Sequence, residues 1–132
     1  MHNMNKNTSV MKTHFPALRF KMGKDMSINK KVLRALGNPD HILFWWNESE
    51  RVLLIGRALE KTSLSFWISD RYYNTRTCYK IKQHVFLRAI MKLAGWKCDM
   101  TYGVIGEFIS ELDMVAFKLD DAVKMDVELA HG

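Results

Sequence analysis

Cysteine is scarce in this chain of 132 residues: Cys78 and Cys98 stand alone, with no CxxC pair and no His/Cys spacing of a metal site. That usage fits a reducing compartment, argues against a Cys78–Cys98 bridge and provides no zinc site. Long apolar runs are missing as well. Nowhere do about 18 apolar residues follow one another, which excludes a helical membrane span. Residues 1–14 are polar and rich in Asn and Met, without an apolar stretch, so the expectation is no secretory signal and a cytoplasmic location. Catalytic patterns are absent too: there is no G-x-S-x-G, no P-loop and no H-E-x-x-H. His41 and His84 each lack an evident acid or nucleophile partner. Asp120, Asp121, Asp126 and Glu128 read as a solvated acidic cluster. A non-enzymatic protein with no cofactor and no metal is therefore expected.

Acidic residues are few over most of the chain. Residues 1–98 hold 18 Lys+Arg against 6 Asp+Glu, a balance of +12, whereas residues 99–132 hold 2 Lys against 8 Asp+Glu, a balance of −6. A basic body with an acidic end suggests a polyanionic partner, nucleic acid above all; the plain alternative is an ordinary solvated surface. With 48% hydrophobic residues, the length suits either one domain with a real core or two small fused halves.

What the chain does contain is two similar runs of elements. After an arm over 1–15, Ala17 to Met22 alternates, with Leu18, Phe20 and Met22 on one side and Arg19 and Lys21 on the other. A turn at Gly23–Asp25 leads to a strand from Met26 to Ile28. Asn29 then caps a short helix over Lys30–Leu36, closed by Gly37 and Pro39. Ile42–Trp46 and Val52–Ile55 form a hairpin, and residues 59–63 a connector. The order then recurs: a strand over Leu64–Ile68, a polar loop over Asp70–Thr77, a strand over Cys78–Ile81, and a helix from Lys82 with Phe86, Ile90 and Leu93 on one face. Gly95 closes that helix, 58 residues after Gly37. Strands over Thr101–Ile105 and Met114–Leu119 flank a turn at Glu107–Asp113. The chain thus divides into an arm (1–15), a first β-β-α-β-β unit (16–58), a connector (59–63), a second unit (64–120) and an acidic tail (121–132).

The stretch from Lys24 to Gly37 (KDMSINKKVLRALG), followed by Asp40 and the hairpin to Ala58, resembles the AbrB/SpoVT-type DNA-binding motif. The second unit, from Ile81 to Leu119 with Ala94-Gly95-Trp96, is similar to a diverged copy, and two copies in one chain resemble MraZ-type regulators. Asn29 and Lys82 stand where the family has a proline. The resemblance implies an α+β fold, a pseudo-symmetric swapped-hairpin β-barrel with two helices, acting as a transcriptional regulator or antitoxin-like repressor on double-stranded DNA. Carried over by position, the DNA-contacting residues are Arg19, Lys21 and Lys24 in the first unit and Arg71, Arg76 and Lys80 in the second. Lys30, Lys31 and Arg34 would hold phosphates. A homodimer stays open, and no protein partner is specified.

The aromatics leave two further readings open. Trp45 and Trp46 are adjacent in a strand, so one faces the core and the other can stack on a base or cover an interface. Tyr72 and Tyr73 beside Arg71 and Arg76 make an aromatic–basic loop of the kind used on single strands. A protein-interaction module of a phage or mobile element, using this fold without nucleic acid, is the alternative from another class.

Overall fold

A computed structural model describes residues 15–21, 23–74 and 78–125. It is a mixed α+β structure dominated by one antiparallel sheet. In chain order the elements are β1 (Ala17–Lys21), β2 (Asp25–Ile28), α1 (Lys30–Ala35), β3 (His41–Asn47), β4 (Val52–Arg57), β5 (Phe66–Trp67), α2 (Asp70–Tyr73), β6 (Tyr79–Ile81), α3 (His84–Ala94), β7 (Thr101–Ile109), β8 (Met114–Lys118), a 3-10 turn (Leu119–Asp121) and β9 (Val123–Met125). The strands neighbour one another in the order β5-β3-β4-β8-β7-β1-β2-β6, with β9 lying along β7.

Local chemistry accounts for the first half. Alternation buries Leu18 and Phe20 of β1 and Met26 and Ile28 of β2, while Gly23, at φ 71°, turns the chain between the two strands. A Cβ at Gly23 would lie 2.9 Å from the Cys98 carbonyl oxygen, so the tight approach of this turn to the second half requires glycine. Asn29 accepts from the Val32 N–H at the start of α1 and also from the Ala17 N–H, and donates to the Phe15 carbonyl oxygen. One side chain therefore caps the helix and pins it to β1.

The second half departs from the sequence reading in several places. Asp70–Tyr73 is not loop but a short helix, its first turn capped by Ser69, which makes the α-helices three among the described residues. Four residues are too few to display a helical period. In α3 the buried stripe is Leu87, Ile90 and Met91; Phe86 is half-buried and Leu93 exposed, so the face is rotated by about one residue from the expected one. Glu107–Ile109 continues β7 instead of forming a turn, because β8 pairs with it through Glu107↔Ala116 and Phe108↔Val115. The expected acidic tail begins as structure: Val123–Met125 pair with Thr101–Gly103. Residues 126–132, like the arm over 1–14, lie outside the described residues. Cys78 and Cys98 are free thiols.

One core joins both halves. Leu18, Phe20, Ile42, Ile55, Ile90 and Phe117 belong to the same buried cluster. Phe44, Phe66 and Phe86 form a three-ring contact between β3, β5 and α3, and Phe20, Trp96 and Tyr102 another, with the last two stacked at 4.5 Å. Two hairpin turns also reach across. Arg51, at the β3–β4 turn, donates to the Leu93 carbonyl at the end of α3 and to Asp120, while Arg57 pairs with Asp113 at the β7–β8 turn.

Candidate nucleic-acid interface

Strand register decides which cations meet. Arg19 pairs with Gly103 on one side and Ser27 on the other, and Ser27 pairs with Lys80. These residues share one rung, and residues on one rung point to the same face of a sheet. Arg19 and Lys80 are exposed, whereas their strand neighbours Leu18, Phe20, Tyr79 and Ile81 are buried. Two cations thus stand on the outer face with the small neutral Ser27 between them. Two strand spacings place their backbones about 10 Å apart.

Lys21 follows two rungs on, facing out between Asp25 and Thr101. The Asp25 Oδ1 and Thr101 Oγ1 atoms are buried and have no hydrogen-bond partner among the described residues. Lys24 is exposed in the β1–β2 turn, its N–H bonded to the Lys21 carbonyl at 2.8 Å. The ion pairs among the described residues are Arg51–Asp120 and Arg57–Asp113, so none of the described sequence-predicted contacts is tied up in a salt bridge.

The remaining candidates lie elsewhere. Lys30, Lys31 and Arg34 sit on α1, whose Val32 and Leu33 face the core; Lys30 and Lys31 are half-buried and Arg34 is exposed. Arg71 is exposed on α2, off the Arg19–Lys80 rung, and Arg76 lies outside the described residues. Tyr72 and Tyr73 are half-buried: Tyr72 meets Tyr79 edge-on at 5.0 Å, and the Tyr73 hydroxyl donates to the Pro39 carbonyl at 2.6 Å. Trp46 packs on the core, and Trp45 faces outward over Gly56.

Burial, with Asp40 and Asp70 nearby, pushes the Tyr73 phenol up to about 12. A folded-state value above the unfolded one, about 10, favours the neutral phenol in the fold. Its contribution is complete below pH 10 and is lost as pH rises towards 12. Thermal melts from pH 9 to 12 are expected to show a fall in Tm that is shallower in Tyr73→Phe. Equal slopes for the two proteins would refute this. Tyr79, raised by burial and by Tyr72, accounts for part of the slope that remains.

Trp67, which alternation places opposite Phe66 and Ile68, is 63% exposed on β5, the most exposed aromatic of the described chain. What escaped the sequence reading is an apolar groove over the outer face of β4, β8 and β7, lined by Leu54, Ile105, Ile109 and Ala116 among others. The signal for it was present: Leu54 sits between Leu53 and Ile55, whose side chains occupy the opposite, buried face. Among the described residues, no helix is long and apolar enough to cross a membrane and no His/Cys/Asp/Glu cluster has metal-binding geometry. Comparisons with protein-family models, with curated proteins and with solved structures returned no match.

Proposed function

We propose that the protein is a DNA-binding regulator of the AbrB/SpoVT-like, two-unit type, a transcriptional regulator or antitoxin-like repressor that docks duplex DNA on the outer face of β1, β2 and β6. The observation that carries this reading is the Arg19–Ser27–Lys80 rung. Its span of about 10 Å suits a major groove about 12 Å wide. Arg19 supplies the fork that can read guanine bidentately, while Lys80, Lys21 and Lys24 supply phosphate contacts.

The two-unit layout draws support from the way the strands pair. In each half the first strand pairs with the third strand of the other half, β1 with β7 and β5 with β3. The second strands pair with each other, β2 with β6, and so do the fourth, β4 with β8. Exchanging the halves leaves these four pairings unchanged, as an interleaved pair of hairpin units requires, while β1–β2 has no β5–β6 counterpart. The links from Arg51 to the α3 terminus and from Arg57 to Asp113 join the same halves.

Fluorescence-anisotropy titration of a random duplex at several salt concentrations tests the function. Micromolar binding that weakens steeply with salt, as counterion release demands, is expected. No binding at 50 mM salt would sink the proposal and favour the second reading, a protein-interaction module, for which the apolar groove speaks. Tyr72 and Tyr73 are half-buried in packing contacts, whereas the exposed Trp45 and Trp67 leave stacking surfaces for a single-strand reading.

A further inference from the structure

The exchange that relates the two halves assigns a counterpart to Arg19. Counted back from the pairs that close the two hairpins, Asn47↔Val52 and Ile109↔Met114, His41 of β3 and Gly103 of β7 hold the same place. Arg19 pairs with Gly103, and Trp67 pairs with His41. Trp67 is therefore the counterpart of Arg19, and the neighbours agree: Leu18 and Phe20 lie in the core beside Arg19, as Phe66 and Ile68 do beside Trp67. The exchange also interchanges Ser27 and Lys80, which face each other in β2–β6. Since Arg19 stands across from Ser27, Trp67 belongs on the Lys80 side. Among the described residues β5 and β6 share no ladder, but the Tyr79 hydroxyl joins them by donating to the Trp67 carbonyl at 3.0 Å. The outer rung thus runs Arg19, Ser27, Lys80 and, across that junction, Trp67.

We propose, resting on the reading of this outer face as the nucleic-acid interface, that Trp67 stacks on an unpaired base, so that the protein prefers DNA where a duplex gives way to a single strand. The indole is exposed, while its backbone is held by pairing with β3. An aromatic face beside cations suits unstacked bases: the ring meets the base, and the phosphates of the same strand meet Lys80 and Arg19. Bases within a duplex already stack on one another, so a blunt duplex leaves the indole unused. Asp40 and Asp70 lie near Tyr73, which directs phosphate towards the Lys80 side. The other exposed tryptophan, Trp45, stands four residues along β3 from His41, about 13 Å off this rung. It pairs with Leu54 of the groove, whose rim carries Glu50, Glu107 and Asp121 against Lys118 and so repels phosphate.

Anisotropy titrations with three probes test this: a blunt duplex, the same duplex with an overhang of about four thymidines at its 5′ or 3′ ends, and oligothymidylate alone. The wild-type chain should bind one overhung duplex about tenfold more tightly than the blunt one, the lower end of what a stacked base contributes. Trp67→Ala should bring that probe down to the affinity of the blunt duplex and weaken oligothymidylate to the same degree. Its salt slope should match that of the wild type, because stacking engages no phosphate. Trp67→Phe should keep most of the gain, whereas Trp67→Leu, apolar without an aromatic face, should keep little. Equal wild-type affinity for blunt and overhung duplexes would overturn the stacking site and leave the duplex reading standing. So would a Trp67→Ala variant that weakens both equally. Binding of oligothymidylate that depends on Trp67, without any binding of blunt duplex, would keep the stacking site and overturn the duplex reading. No binding of any probe would overturn both.

Discussion

Arg19→Ala combined with Lys80→Ala is expected to weaken duplex binding about 100-fold at 50 mM salt, taking about 1.4 kcal/mol for each lost charge-assisted contact. The slope of log affinity against log salt should become shallower by about 1.8, since each neutralised phosphate contributes about 0.9. The control is Lys30→Ala with Lys31→Ala, which removes the same charge from α1. If the loss were a matter of net charge alone, both pairs would weaken binding equally. If the outer face is the interface, the helix pair should cost less than about tenfold, because its side chains lie off the Arg19–Ser27–Lys80 rung. Arg19→Lys separates positioning from readout: it keeps the charge but loses the fork, so affinity for random duplex should hold while any preference for guanine fades. Anisotropy titrations on the same duplexes decide all three.

Gly106→Ala is expected to be strongly destabilising. A Cβ there would fall 2.7 Å from two ring carbons of Phe117, a side chain with no exposed surface, held directly opposite in the β7–β8 ladder. Close-packed interiors give little, so the ring or the strand must shift, at a cost of about 2–3 kcal/mol. For a chain of this length that is a fall in Tm of roughly 10 °C. Phe117→Leu by itself is destabilising, because it leaves a cavity. Introduced into Gly106→Ala, it should cost less than in the wild type, with a coupling of about 1 kcal/mol in a double-mutant cycle. Gly95→Ala provides the contrast. Nothing lies within 4 Å of its would-be Cβ, so its cost comes only from the left-handed backbone at φ 74°, about 1 kcal/mol. Equal effects at the two glycines would show that Phe117 has room to move.

Much of the fold could be read from local pattern. Alternation in Ala17–Lys21, the Asn29 cap, the Gly37 and Gly95 stops and both hairpins follow from short-range sterics and hydrogen bonding, which act within a few residues. The misses are equally physical. Glu107–Ile109 extends β7 by pairing with Met114–Ala116 of its own hairpin, whereas Val123–Met125 becomes a strand because Thr101–Gly103, distant in sequence, offers it a ladder. The short α2 helix rests on Ser69 and on packing of Tyr72 and Tyr73 against the core.

The candidate site divides along the same line. The sequence by itself determined that this chain is strongly basic over its first 98 residues, and that Arg19 and Lys21 share one side of a strand. Only the tertiary structure decided that Lys80 joins Arg19, that Ser27 lies between them, and that Arg71 and the α1 cations do not belong to that rung. The reason is register. Pairing of β2 with β6 is set by burying Met26 and Ile28 on one side and Tyr79 and Ile81 on the other, and a slip of one residue would turn Lys80 into the core. The outer groove likewise exists only because β4, β8 and β7 come together from separate parts of the chain.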